Sequence, residues 1–121
     1  MGRPLPIDVA EVLFDIHRDL SVTTRQREPG PPKRIDGMTV GIVTMERSAP
    51  HGGEVHPDGD EILYVISGKI RVVCDSEPTP LELNAGDACI VPAGEWHKVD
   101  VLQPTRLMHI TPGPRGDHRP A

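Results

Sequence analysis

Apolar residues in this chain alternate with polar ones in short runs, and glycine, proline or aspartate cuts each run after about 8–12 residues. Met38–Arg47 is the clearest run, with Val40, Ile42 and Thr44 on one face of a predicted strand. Ser48–Gly53 breaks the alternation, Glu54-Val55-His56 resumes it, and Pro57-Asp58-Gly59-Asp60 predicts a tight turn. Strands are expected over Glu61–Ile66, ending at Ser67-Gly68, and over Lys69–Asp75. Leu81–Leu83, Ala88–Val91, Trp96–Leu102 and Thr105–Thr111 follow. Ile7–Leu20 differs, because Val9, Val12, Leu13 and Ile16 fall near helical spacing behind Asp8 as a cap. An arm with one helical turn, or an extended strand, fits that segment equally well. Arg25–Arg34 reads as a wet loop, since its prolines fix φ and its charges stay solvated. About seven or eight short strands with regular turns predict an all-β sandwich or barrel. The expected division is an arm and loop over 1–37, a barrel over 38–112 and a tail over 113–121. That tail is too rich in proline and glycine to hold regular structure alone.

Composition supports strands. The chain has 121 residues, enough for one domain, and its 14 prolines and 12 glycines imply many turns. Phe14, Tyr64 and Trp96 are its only aromatic residues, so the core falls to Val, Ile and Leu. That suits a sheet better than a haem or flavin pocket. The net charge of −5 argues against nucleic acid, which requires a basic stripe. Arg115, His118 and Arg119 make only a short solvated basic tail. No apolar run approaches the roughly 18 residues of a membrane span, and Met1–Pro6 lacks a signal peptide's apolar stretch. A soluble cytoplasmic protein is expected. Cys74 and Cys89 have no Cys-x-x-Cys spacing, and Cys74 shares a face with Ile70 and Val72, as a buried free thiol does.

The chemistry gathers around the Pro57–Asp60 turn. Strand parity puts Glu54 and His56 on one face, and the turn brings Glu61 to the opposite shoulder. His97, from a distant hairpin, completes a set of two imidazoles and two carboxylates. Such donors suit Fe, Mn, Ni or Zn as a divalent ion, and the absence of thiolates argues against a structural zinc. The set would leave a divalent ion formally uncharged, which makes burial less costly. Spacing alone supports solvated acidic residues around a turn about as well.

Two motifs make the pattern more specific, because they resemble those of the cupin superfamily. The first family motif runs Gly, five residues, His-x-His, three or four residues, Glu, six residues, Gly. Here it reads Glu54-x-His56, four residues, Glu61, six residues, Gly68. The second runs Gly, five residues, Pro-x-Gly, two residues, His, and here Gly86, Pro92-Ala93-Gly94 and His97 match it. The resemblance implies a single-domain jelly-roll β-barrel, often a homodimer, with a metal in its lumen held by His56, Glu61 and His97. Glu54 departs from the family by standing where the first histidine belongs, and Val101 replaces a trailing asparagine.

Three roles fit Glu54. It ligates the metal; or it acts as a general base beside a His-Glu-His site; or His51 swings in as the ligand, helped by Gly52 and Gly53. His109 lies on the last strand, either as an acid or base lining the pocket or as a hydrogen-bonded core histidine. Tyr64 and Trp96 are expected to face away from the lumen. Lys69, Arg71 and Lys98 are candidates for binding an anionic substrate, and also ordinary surface charges. The resemblance implies a metal-dependent enzyme acting on a small oxygen-rich metabolite, with dioxygenase chemistry leading. The alternatives are a non-catalytic ligand-binding or sensor barrel and a protein like the sugar-phosphate isomerases. The expected partner is a small molecule.

Overall fold

Alternation decides which side chains of the long strands turn inward, and one irregularity makes that alternation work. The computed structural model describes residues 2–121 as an antiparallel jelly-roll β-barrel. Its strands are β1 (Val12–His17), β2 (Val22–Gln26), β3 (Gly37–Met45), β4 (His51–Val55) and β5 (Glu61–Cys74). β6 (Leu81–Asn84), β7 (Ala88–Val91), β8 (His97–Pro112) and β9 (Asp117–Pro120) complete it. No helix among the described residues is long and apolar enough to cross a membrane.

The core is Leu63, Val65, Ile70 and Val72 of β5 with Leu83, Val91 and Leu107 from its partners. Val65 and Ile70 are separated by an odd number of positions, so an unbroken pleat would bury one and expose the other. The register shifts between Val65 and Ile70 absorb the extra residue. Gly68 takes a φ of +91° there, and Thr105 Oγ1 accepts from Lys69 N at 3.1 Å to patch the ladder. Ser67-Gly68 therefore bends one 14-residue strand where two strands were expected. Likewise Trp96–Leu102 and Thr105–Thr111 belong largely to one 16-residue strand, β8, which carries Pro104 through the same irregular region.

The N-terminal segment folds as a hairpin, not a helix. Asp8 organises a single turn, with Ala10 N donating to its Oδ1 at 3.0 Å. Beyond it, β1 pairs with both β2 and β3. Asp15 is buried on β1, where it forms an ion pair with Arg25 Nε at 2.8 Å and accepts from Thr39 Oγ1 at 2.8 Å. A helix would forfeit that buried ion pair. The tail gains from a neighbour the regular structure it could not hold alone, since β9 pairs with β4 from His51↔Pro120 to Val55↔Asp117. Its order comes from a neighbour's edge rather than its own sequence, and Arg119 reinforces it by forking onto Asp75 at 2.8 and 2.6 Å.

Candidate metal centre

Three elements deliver the polar cluster. β4 ends beside His56, β5 begins with Glu61, and β8 begins with His97, directly across from Glu54. The two turns that flank these strands are tied together, because Ala93 N donates to Asp60 Oδ1 at 2.8 Å and Gly94 N to the His56 carbonyl at 3.1 Å. Asp58 holds the tail, accepting from Arg115 Nε at 2.9 Å. The acidic turn residues thus shape the rim, as their sequence context suggests.

Glu54, His56 and His97 offer ligand atoms that all lie within 4.8 Å of one another, a candidate metal-binding triad. His56, Glu61 and His97 are only 5, 4 and 3% exposed, so their polar atoms need partners from within the protein. His97 has them: its Nδ1 donates to the Glu95 carbonyl at 3.1 Å, and its Nε2 lies 2.9 Å from Glu61 Oε1. His56 does not. Its Nε2 lies 3.3 Å from Glu54 Oε2 and 3.5 Å from Glu61 Oε2, yet both ring nitrogens are buried without a hydrogen bond. An imidazole nitrogen aimed between two carboxylates, with no hydrogen bond, fits a divalent cation.

Glu61 stands outside the triad because its carboxylate closes on other groups. Its Oε1 meets His97, and its Oε2 accepts from Thr111 Oγ1 at 2.6 Å. His97 and Thr111 lie near opposite ends of β8, so one carboxylate joins both ends of that strand. His51 also stands outside the triad. Its Nε2 is 3.2 Å from Glu54 Oε1 and its Nδ1 accepts from Gly53 N, which places it behind Glu54.

Burial alone would raise the carboxyl pKa of Glu54, but His56, Arg34 and His51 together hold it down at about 2. Burial likewise opposes ionisation of Glu61, and His97, His56 and Thr111 outweigh it. For His97 burial disfavours the imidazolium, while Glu61 more than compensates and raises its pKa. Both glutamates are therefore anionic at neutral pH, as ligands must be.

His109 lines a cavity of about 1250 Å³ together with Glu54, Glu61 and His97. Thr111 donates its hydroxyl proton to Glu61, so it accepts from His109 Nδ1 at 2.8 Å, and the imidazole keeps its lone pair on Nε2. Burial pushes the His109 pKa down to about 4, leaving the ring neutral in the physiological range. Gly41 leaves the space Nε2 fills, since a side chain there would strike it.

Tyr64 alternates with buried Leu63 and Val65, and Trp96 packs under Arg119, whose Cζ is 4.7 Å from the ring centroid. Lys69 and Arg71 instead pair with Glu82, and Lys98 with Asp100, none of them at the cavity wall. Thr111 and Arg34 belong to the site's surroundings without having been legible as such. Thr111 carries no spacing signal, and Arg34 lies in a proline-rich loop that reads as solvated. Cys74 and Cys89 are free and half-buried; burial raises both thiols, Cys89 to about 11, which leaves them unreactive.

Known structures share this architecture. Bacillus subtilis oxalate decarboxylase, with Mn(II) centres, superposes at a TM-score of 0.56 and 25% identity over 67% of this chain and 23% of its own. The DMSP lyase DddQ from Ruegeria pomeroyi gives 0.56 and 21% over 69% of this chain and 43% of its own. A cupin-2 domain protein from Shewanella frigidimarina gives 0.54 and 21% over 74% of this chain and 85% of its own. The chain thus spans about a quarter of the oxalate decarboxylase and under half of the lyase. No protein with a curated description matches the sequence. The family described as Cupin domain (Cupin_2) matches residues 41–111, which hold the triad, the turns that position it and most of the core, and this chain belongs to that family.

Proposed function

We propose that this chain is a metal-dependent cupin enzyme acting on a small oxygen-rich metabolite, with dioxygenase-type chemistry the leading reaction. The observation that carries the metal reading is His56, whose two buried ring nitrogens have no hydrogen bond beside two anionic carboxylates. His56, His97 and Glu54 would hold the ion, with Glu61, now bonded to His97, as the fourth ligand. Two carboxylates and two imidazoles favour Mn(II) or Fe(II) over softer ions. The Mn(II) centres of oxalate decarboxylase, a structural neighbour, support that choice. A bound ion of this kind supplies Lewis acidity and, being redox-capable, access to oxygen chemistry.

The chain's own residues bind, orient and move protons. Thr111 fixes the tautomer of His109, so Nε2 is the atom that takes a proton from a substrate in the cavity. Glu61 and the Glu95 carbonyl orient His97. Leu63, Val99 and Leu107 give the cavity an apolar part of its wall. A homodimer is part of this reading, and light scattering of the purified protein tests it.

Metal analysis of protein purified without chelators tests the site. At least half an equivalent of Mn or Fe, roughly, is expected, and less than about a tenth with no uptake on adding either ion would sink it. Oxygen consumption against catechols, diketones and thiols then tests the reaction. Metal binding without oxygen consumption would turn the reading to lyase, isomerase or ligand-binding roles.

A further inference from the structure

The loop between β2 and β3 forms one wall of the cavity and is held from behind by the end of β8. Gly113 N donates to the Gly37 carbonyl at 3.0 Å, and a side chain at Gly113 would run into Arg34 Cβ and the Ile35 backbone. This packing fixes the base of Arg34. The arginines lining the cavity then divide sharply. Arg25 pairs with Asp15 at 2.8 Å, Arg27 donates to the Ile42 carbonyl at 3.0 Å, and Arg119 holds Asp75. Arg34 Nη1 is buried and has no hydrogen-bond partner among the described residues. Arg34 lines the same cavity as Glu54 and Glu61, and while burial pulls its pKa down, their charges push the other way. A buried N–H donor without an acceptor is costly unless something arrives to accept.

The charges say what should arrive. Glu54 and Glu61 together would neutralise a divalent ion, which leaves the Arg34 guanidinium in the wall without a carboxylate of its own. We propose that Arg34 recognises a carboxylate, and that the cavity takes a small carboxylate-bearing molecule whose other end faces Glu54, His97 and His109. This rests on the metal-dependent reading above and names its substrate class. A carboxylate matches the planar fork and brings the single negative charge required. A phosphate brings more charge than one guanidinium balances.

Calorimetric titration of the metal-loaded full chain with lactate, its neutral counterpart lactamide, and inorganic phosphate tests the assignment. Wild type should bind lactate at least about tenfold more tightly than lactamide or phosphate. Arg34→Gln should weaken lactate by about thirtyfold while leaving lactamide binding, metal content and Tm unchanged, and Arg34→Lys should fall between. Should Arg34→Gln fail to fold, Arg34→Lys alone decides, with a loss of several-fold expected. Lactate binding unaffected by either substitution would overturn the proposal, as would a wild-type protein that prefers lactamide or phosphate or binds no lactate. Running wild type and Arg34→Gln after chelator treatment separates the two ideas. An Arg34-dependent lactate signal in protein that never takes up metal sinks the metal reading alone, whereas full metal content with no Arg34 effect sinks this one alone.

Discussion

Glu54 on β4 stands directly across from His97 on β8, at the register position that joins the two strands among the described residues. The position where the family motif carries a histidine is therefore paired with the histidine supplied by the distant hairpin. Glu54→His should keep metal binding but shift preference from Mn(II) and Fe(II) toward Ni(II) and Zn(II). His56→Ala and His97→Ala should each weaken metal binding by more than about tenfold. Competitive metal loading followed by elemental analysis checks both; an unchanged preference in Glu54→His would mean that Glu54 is no ligand.

Thr111 is fully buried and serves two partners, accepting from His109 and donating to Glu61. Thr111→Val keeps its shape and strands both neighbours. Urea unfolding should show a loss of about 1–3 kcal/mol. The tautomer preference of His109 should also vanish, which nitrogen-15 NMR of the imidazole reads directly.

Burial gives His109 a folded-state pKa of about 4 against an ordinary 6.5, so between those values the unfolded chain takes the proton first. Its contribution to stability is therefore complete above pH 6.5 and is lost as pH falls toward 4. For Glu54, depressed to about 2, the contribution is present above 4.5 and lost as pH falls toward 2. The windows overlap only between pH 4 and 4.5. Chelator-treated wild type should lose on the order of 2 kcal/mol between pH 6.5 and 4 that His109→Gln does not lose. Equal slopes in the two proteins would contradict the assignment.

Gly41 on β3 faces His109 on β8 in the pairing register. A methyl group there would collide with His109 Nε2 and come within 2.9 Å of Leu13 Cδ2. Gly41→Ala should cost about 1–3 kcal/mol. Combining it with His109→Ala should recover part of that loss, since the collision is removed, and a double-mutant cycle measures the coupling.

Much of the site was readable because its signals are local. Gly86 to His97 is a turn and a strand with fixed spacing, and Ala88–Val91 forms β7 with the boundaries that its alternation marks. Long-range causes were not readable. Gly68 looks like a strand end, yet β8 provides a partner on both sides of the bend. Val9, Val12, Leu13 and Ile16 carry helical spacing, but the burial of Asp15 with Arg25 rewards a hairpin instead. The strand at Asp117–Pro120 exists because β4 offers an edge, which no property of the tail announces. Arg34 was hidden for the same reason, since its burial depends on β3 and the turn at Gly113.

The two oxygens of Glu61 reach His97 and Thr111, near opposite ends of a 16-residue strand, so this carboxylate acts as the buckle of a curled belt. Ion uptake and barrel closure are then thermodynamically linked. Metal held by both Glu61 and His97 would take over the link that their direct contact makes, and a hundredfold excess over Kd adds about 2.7 kcal/mol to the folded state. Protein stripped of metal during purification would keep its sheet but open more readily where the belt meets itself. Protease cuts and fast amide exchange should then gather around Trp96 and Pro112, and fade as metal is returned.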